Sequence, residues 1–305
     1  MVEQQKNDML LSLFEAERPR LLRVAYSITS SVAEAEDCVQ ETWMRLQSIG
    51  DAELIRNIPG WLTTTVARLA LDTLNSARSR WERYVGHWLP EPLVEDVNLD
   101  DPAERVALDD SVSIALMIVL QHLSAVERTA FLLHDVFGLS FVEISTIVGR
   151  SPAAVRKLAS RARKHIEQGR PRFVPTFAEQ KELVLAFAAA CQKGDMEKLV
   201  STLDPNVVWR GDGGGDTAGV ARVEQGAERV ANGVVAFTRQ SRLRIRFALV
   251  NGAPGLVLFD DEDQLSVVSF TVANRHITTI HVIRDPDKLS KVRTIFLDKG
   301  KRVEE

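Results

Sequence analysis

Cysteine is scarce in this sequence: two in 305 residues, Cys38 and Cys191, each isolated within a helical pattern. Neither has a neighbour at zinc-ligand spacing, and two cysteines make no disulfide framework. A reduced, cytoplasmic chain without metal or cofactor is therefore expected. Excess positive charge is also lacking, with 38 Lys+Arg against 42 Asp+Glu and a formal charge of −4. Any nucleic-acid binding must then come from local clustering. The opening stretch MVEQQKNDML has neither the basic flank nor the apolar run of a secretory signal. The most apolar helical stretch, 113–120, is too short to span a bilayer, so no membrane association is expected. No internal repeat or low-complexity tract is visible.

What is present is ordinary globular composition, 45% hydrophobic and 26% charged, over a length that suggests two or three domains. Residues 1–80 read as three helices. The first covers about Asp8–Thr29, with Pro19 as a kink. Ser31 with Glu34 opens the second as a capping box. Ala35, Val39, Thr42 and Leu46 form its inner stripe, and Asp37, Gln40, Glu41 and Met44 lie on another face. The third follows Pro59, with Leu62, Val66, Leu69 and Thr73 inside and Arg68, Asn75, Arg78 and Arg80 away from that stripe. Prolines and an acidic run make 81–107 a linker, although Trp88-Leu89-Pro90 is apolar in a segment that should be polar.

Residues 108–170 form a second helical domain. Ser124 with Glu127 and Ser140 with Glu143 are two more capping boxes, with Gly138 as a stop between them. Gly149 ends a short helix, and Ser151-Pro152 supplies an N-cap and a first-turn proline for the next. This pair has helix-turn-helix spacing, with Val155, Leu158 or Ala159, and Ala162 packing on Ile144 and Val148. Between Arg150 and Arg172 lie Arg150, Arg156, Lys157, Arg161, Arg163, Lys164, Arg170 and Arg172 against the single acid Glu167. Positive charge is concentrated where phosphates would sit. Base contacts are expected from Ser151, Ala154 and Arg156, shared contacts from Lys157 and Arg161, and phosphate contacts from Arg163 and Lys164. A one-component, ligand-responsive DNA-binding regulator fits this helix pair equally well.

Residues 174–290 change character to α+β: a helix over Glu179–Leu203, another near Glu224–Phe237, then strands at Arg242–Val250, Leu256–Phe259, Leu265–Val272 and His276–Ile283 as an antiparallel meander. Residues 291–305 form a tail.

Three stretches carry a family resemblance over about residues 8–168. AEAEDCVQETWMRL resembles region 2 of bacterial sigma factors, and PGWLTTTVARLALDTL resembles the helix that handles the melted promoter element. GLSFVEISTIVGRSPAAVRKLASRARKHI resembles the region 4 helix-turn-helix. The chain is thereby identified as a member of the extracytoplasmic-function sigma factors, the short class with regions 2 and 4 only. The resemblance implies that Asp37, Gln40 and Glu41 bind the β and β′ subunits of core RNA polymerase. It implies that Asn57, Arg68, Asn75, Arg78 and Arg80 handle the downstream promoter element, aided by the loop Ile49–Ile58, and that Ser151–Lys164 read the upstream one.

The remainder resembles the sigma-factor group with a fused SnoaL-like α+β cone, through Trp88-Leu89-Pro90, Asp212-Gly213-Gly214-Gly215 and Asp285-Pro286-Asp287-Lys288-Leu289. Two departures are visible: Asp216 stands where the group has lysine, and Asp285 where it has asparagine. The resemblance implies regulation in cis, in place of a separate anti-sigma protein, with the domain body supporting the active arrangement and the tail after Asp285 restraining it. A small-molecule ligand in this domain is a further expectation. An isomerase or cyclase would use Asp212, Asp216, His276 or His281, but the two histidines, five positions apart, fall on opposite strand faces.

Overall fold

The computed structural model describes residues 2–49, 55–81, 88–96, 112–169, 175–214 and 222–300; near some segment ends only the backbone is described. The side chains of Arg78 and Arg80, and the residues Gly215 and Asp216, carry expectations that lie outside what is described. So do parts of the loop 49–58 and of the segment 81–107.

The chain divides into two compact units, one of residues 1–82 and 119–169, the other of 83–118 and 170–305. In the first, α1 (Val2–Thr29) runs through Pro19, α2 (Val32–Ser48) starts at its Ser31 cap, and α3 (Ile58–Trp81) completes a bundle. Helix α2 buries Ala35, Val39, Thr42 and Leu46 as its spacing predicts. The inner face of α3 differs from the expected stripe. Leu62 and Val66 are buried, but Ala70, Leu71 and Leu74 join them while Leu69 and Thr73 are half-buried. The reason is that α3 is covered on more than one side. It packs on α1 and α2, and also on α5 (Ala125–Phe131) and α6 (Phe141–Val148). Helix α5 continues into a π-helical turn, Leu132–Val136, which ends at Gly138 in the left-handed region. Helix α7 (Pro152–Gly169) closes this unit.

The second unit is built on a sheet of order β1-β4-β5-β6-β7-β2-β3. Strands β4 (Arg244–Val250), β5 (Ala253–Phe259), β6 (Leu265–Ala273) and β7 (His276–Ile283) form the expected meander. The stretch expected as one helix over 179–203 is two, α8 (Phe177–Lys193) and α9 (Met196–Thr202). Gly194 adopts φ 64 and caps the first, and the Asp195 side chain caps the second. Beyond them, β2 (Leu203–Asp212) lies parallel to β7, and β3 (Val223–Gln225) pairs with β2. Helix α10 (Ala227–Ser241) shares an apolar core with α8 and α9. Helix α11 (Pro286–Gly300) buries Leu289, Val292 and Phe296 and contacts β6, so residues 291–300 are helical. A two-residue strand, β1 (Val94–Glu95), comes from the segment read as linker and pairs with β4. The order of helical bundle, helix-turn-helix and α+β domain follows the expected fold class. Helix α4 (Ile114–Gln121) precedes α5.

Candidate nucleic-acid interface and linker latch

The helix-turn-helix is fixed by local chemistry. At Ser140 the hydroxyl accepts from Glu143 N at 3.3 Å, and the Glu143 carboxylate accepts from Ser140 N at 2.8 Å. The Ser140 hydroxyl also donates to that carboxylate at 2.7 Å, and this bond, with the one from Ser140 N, holds the Glu143 carboxyl below the usual range. Gly149 ends α6 at φ 64, and Arg150 N donates to Ser145 O at 3.2 Å. Ser151 then accepts from Ala154 N at 3.3 Å, the N-cap of α7. Val155, Ala159, Ala162 and Ile166 are buried, facing a core with Ile144 and Ile147; Ile147, rather than the expected Val148, is the second buried residue of α6. Ser151, Arg156, Lys157, Arg161 and Lys164 are exposed. Arg156 also lies 5.3 Å over the Phe141 ring, and Arg163 is held by Asp135 at 2.6 Å.

On α2, Asp37 and Gln40 are exposed, beside Met44 at 48% exposure. Glu41 pairs with Arg45 at 2.8 Å. The downstream candidates behave differently. The Asn57 carboxamide accepts from Gly60 N at 3.0 Å, so it caps α3. Arg68 donates to the Thr146 carbonyl of α6 at 2.6 Å, and Asn75 is exposed.

Arg128, on α5, was not legible as a site residue and is the most informative contact in this unit. Its guanidinium is 1% exposed and donates to the Ser27 carbonyl at 2.9 Å and to the Ser30 hydroxyl. Ser27 stands in the last turn of α1, where carbonyls lack helical partners and the dipole favours a cation. A residue of the second helical segment therefore caps a helix of the first. Burial pulls the Arg128 guanidinium down to about 10.

In the second unit Trp88-Leu89-Pro90, the Asp-Gly-Gly loop and the start of α11 converge. Asp212, fully buried at the end of β2, accepts from Leu89 N at 2.7 Å and from Lys288 Nζ at 2.6 Å. Lys288 also donates to Leu89 O at 2.8 Å and sits 4.4 Å over the Trp88 ring. Burial lowers the Lys288 ammonium, and Asp212, Asp285 and Glu91 act against that. Asp285 caps α11, accepting from Asp287 N at 3.0 Å, with Pro286 at the first helical position. Aspartate and asparagine serve equally as such acceptors, so this departure keeps the cap. Gly213 is buried, and Gly214 has φ 69. A Cβ on Gly214 would stand 2.9 Å from Asp285 Cγ. Gly214→Ala is expected to cost about 1–2 kcal/mol in backbone strain, with steric cost beyond it. Thermal unfolding should show a loss of a few degrees.

A second hold was invisible in sequence. Asn251 has φ 52; its carboxamide accepts from Leu93 N at 3.0 Å and donates to Val112 O at 3.2 Å. Asn251 N also donates to Leu93 O at 2.7 Å, so one asparagine grips the segment at two points.

Of the alternative catalytic groups, Asp212, His276 and His281 lie among the described residues. Asp212 is taken up by Lys288 and Leu89; His276 is exposed and bonded to Asn274 O at 2.9 Å. His281 is buried with Nδ1 unpartnered, and burial together with Arg210 pushes it down to about 3. An unfolded histidine titrates near 6.5, so below that pH the unfolded chain takes up a proton the folded chain refuses. Stability is expected to fall as pH drops from about 6.5 towards 3. His281→Leu should flatten that dependence, as read by melting temperatures between pH 7 and 5.

The sequence matches the Sigma-70 region 2 family over residues 13–80 and the Sigma-70 region 4 family over 114–166. It is 36% identical over 295 residues to the ECF RNA polymerase sigma factor SigJ of Mycobacterium tuberculosis, covering 92% of this chain and 94% of that one. The chain belongs to the extracytoplasmic-function sigma factors. The sigma factor is also 33% identical over 292 residues to the probable ECF sigma factor SigI of the same organism, covering 94% of this chain and 97% of that one. The crystal structure of M. tuberculosis SigJ matches with TM-score 0.75 and 36% identity, covering 92% of this chain and 98% of that one. The sigma factor accordingly works with core RNA polymerase and promoter DNA in transcription initiation, and its C-terminal part is an α+β domain. Among the described residues no helix is long and apolar enough to cross a membrane.

Proposed function

We propose that this sigma factor is regulated in cis, its SnoaL-like domain gripping the chain between regions 2 and 4 and so setting how far they can separate. The observation that carries this reading is the latch at Leu89, where Asp212 and Lys288 meet the linker from two different elements. The domain acts here as a positioning device without catalysis, in the cytoplasm with the polymerase.

The packing of the first unit supports a stored state. Helix α3, assigned to the downstream element, is covered by α6 of the helix-turn-helix, and Arg68 is spent on Thr146. Two separated promoter elements cannot be read while their readers are packed on each other. Opening would free Arg68, which with Asn75, Arg78 and Arg80 would serve the downstream element, with Asn57 remaining the α3 cap. Ser151, Ala154, Arg156, Lys157, Arg161, Arg163 and Lys164 would serve the upstream element, and Asp37, Gln40 and Glu41 the polymerase.

Among the described residues after α3, opening the latch moves the first pinned point from Leu89 to Leu93, which gives slack but keeps β1 and Asn251 in place. Removing the whole domain gives a long free linker, and a longer flexible tether lowers the effective concentration of region 4 at its element. The reading is tested by run-off transcription with core polymerase for three forms: full length, ending at Lys288, and ending at Arg172. Ending at Lys288 strips the buried Leu289, Val292 and Phe296 from α11 and is expected to raise transcription several-fold. Ending at Arg172 is expected to lower it below full length. Equal activity of all three would sink the proposal.

A further inference from the structure

One edge of the sheet in the second unit is only partly paired. Strand β1 is two residues long and meets β4 at Val94↔Val250 and Glu95↔Leu249. Among the described residues no strand pairs with the outer side of residues 244–248, the rest of β4. Asn251 N donates to Leu93 O, and along an antiparallel ladder such bonding alternates from residue to residue. Leu249, Phe247 and Ile245 therefore turn their backbone N–H and C=O groups outward, while Arg246 and Arg244 turn theirs towards β5. An open run of such groups is a template for another strand.

The side chains define which strand fits. Arg244 and Arg246 are exposed on one face, and Ile245 and Phe247 pack half-buried against the domain core on the other. Arg244 pairs with Asp263, whereas Arg246 has no ion pair among the described residues. A second copy of β4 would set arginine against arginine, which is unfavourable. The complementary strand alternates acidic or polar residues with apolar ones.

The sequence that leaves β1 has this alternation: Asp96, Val97, Asn98, Leu99, Asp100. Continuing the observed register one residue at a time sets Val97 opposite Phe247 and Leu99 opposite Ile245. On the other face Asn98 meets Arg246 and Asp100 meets Arg244, with Asp96 and Asp100 diagonal to Arg246 and within reach of its long side chain. A slip of one residue would set valine and leucine against the arginines. Chain length permits the course. Val112 is held by Asn251 at the far end of β4, six residue steps from Arg244, so the return covers about 20 Å. The twelve steps from Asp100 to Val112 reach about 40 Å when extended.

We propose that residues 96–100 of the acidic linker dock on the free edge of β4, continuing β1 in the same register. Arg246 is the cation that selects this acidic stretch, and Ile245 and Phe247 are the apolar contacts that fix its face. The proposal concerns how the linker packs and stands whether or not that packing regulates transcription.

Register-specific disulfides in the full-length protein test it. Asn98 and Arg246 would form a non-hydrogen-bonded pair with Cα atoms about 4.5 Å apart, inside the disulfide range. Asn98→Cys with Arg246→Cys should close an intramolecular disulfide about tenfold faster than Asn98→Cys with Arg244→Cys, whose diagonal separation is too long. Both native cysteines are buried and should stay out of the reaction. Amide exchange reads the chain without cysteine substitutions: Ile245 and Phe247 should be protected in the wild type. Leu99→Pro, which removes an N–H from the added ladder, should speed their exchange about tenfold. Circular dichroism checks that each variant is folded, and the wild-type protection stands without any of them. Equal closure rates for the two cysteine pairs, or exchange of Ile245 and Phe247 at the rate of an open chain, would overturn the proposal. Protection undiminished in Leu99→Pro would also overturn it, and its growth with protein concentration would assign the edge to a second copy.

Discussion

Lys288→Ala is expected to raise promoter-specific transcription several-fold while loosening Trp88–Pro90 from the C-terminal domain. Lys288 touches Asp212, the Leu89 carbonyl and the Trp88 ring together. Removing it takes the cation from the fully buried Asp212 carboxylate, which also accepts from the backbone N–H groups of Leu89 and Gly214. Breaking a buried pair on one side costs about 3–5 kcal/mol, most of it the uncompensated charge. Faster proteolysis in the linker should report the release directly. The paired replacement Lys288→Met with Asp212→Leu should recover most of the lost stability, since an apolar pair needs no charge compensation. It should not recover the restraint, because the Leu89 N–H and carbonyl would still lack partners. Stability and transcription would then separate, which a simple folding defect cannot produce.

Arg128→Met carries the second large effect. The substitution keeps most of the volume but withdraws the donors that cap α1 at Ser27 and Ser30. A hydrogen bond from a charged group contributes about 1.5–3 kcal/mol, against which the substitution relieves the burial of a cation that has no carboxylate among its hydrogen-bond partners. The magnitude on stability is therefore set by opposing terms, but the effect on coupling is not. Arg128 joins region 2 to region 4, and its loss should split one cooperative unfolding transition of that unit into two. Region-specific hydrogen exchange should show α1 and α2 opening independently of α6 and α7, where the wild type opens them together.

The sequence carried the helix ends and the reader helix well because those signals are local. Ser124, Ser140, Gly149 and Ser151 each satisfy free backbone groups within four residues of themselves. The inner face of α3 was misread at Leu69 and Thr73 because its burial depends on helices α5 and α6, distant in sequence. Strand β2 was missed because Asp204 and Pro205 break its pattern, and its parallel partner β7 lies beyond five intervening elements. The break at Gly194-Asp195 was readable, since a left-handed glycine followed by an N-cap aspartate marks a boundary. Arg128 and Asn251 carried no such local mark. Their partners lie 101 and 139 residues away for the Ser27 and Val112 carbonyls. The latch lay between: its motifs were identifiable by resemblance, but the geometry by which Asp212 and Lys288 meet Leu89 emerges only from the fold.

The central claim is that regions 2 and 4 are packed together in the free sigma factor and separate on engagement. It is most directly tested by the distance between spin labels at Ser76→Cys on α3 and Ser160→Cys on α7, both exposed positions. The two native thiols are buried, with burial pushing Cys191 up to about 12 and raising Cys38, so they should stay unlabelled. The free protein should give one short distance, replaced by a longer one with core polymerase and promoter DNA, and Lys288→Ala should already populate the longer distance without either partner. The same distance distribution in the free and promoter-bound states would contradict the account.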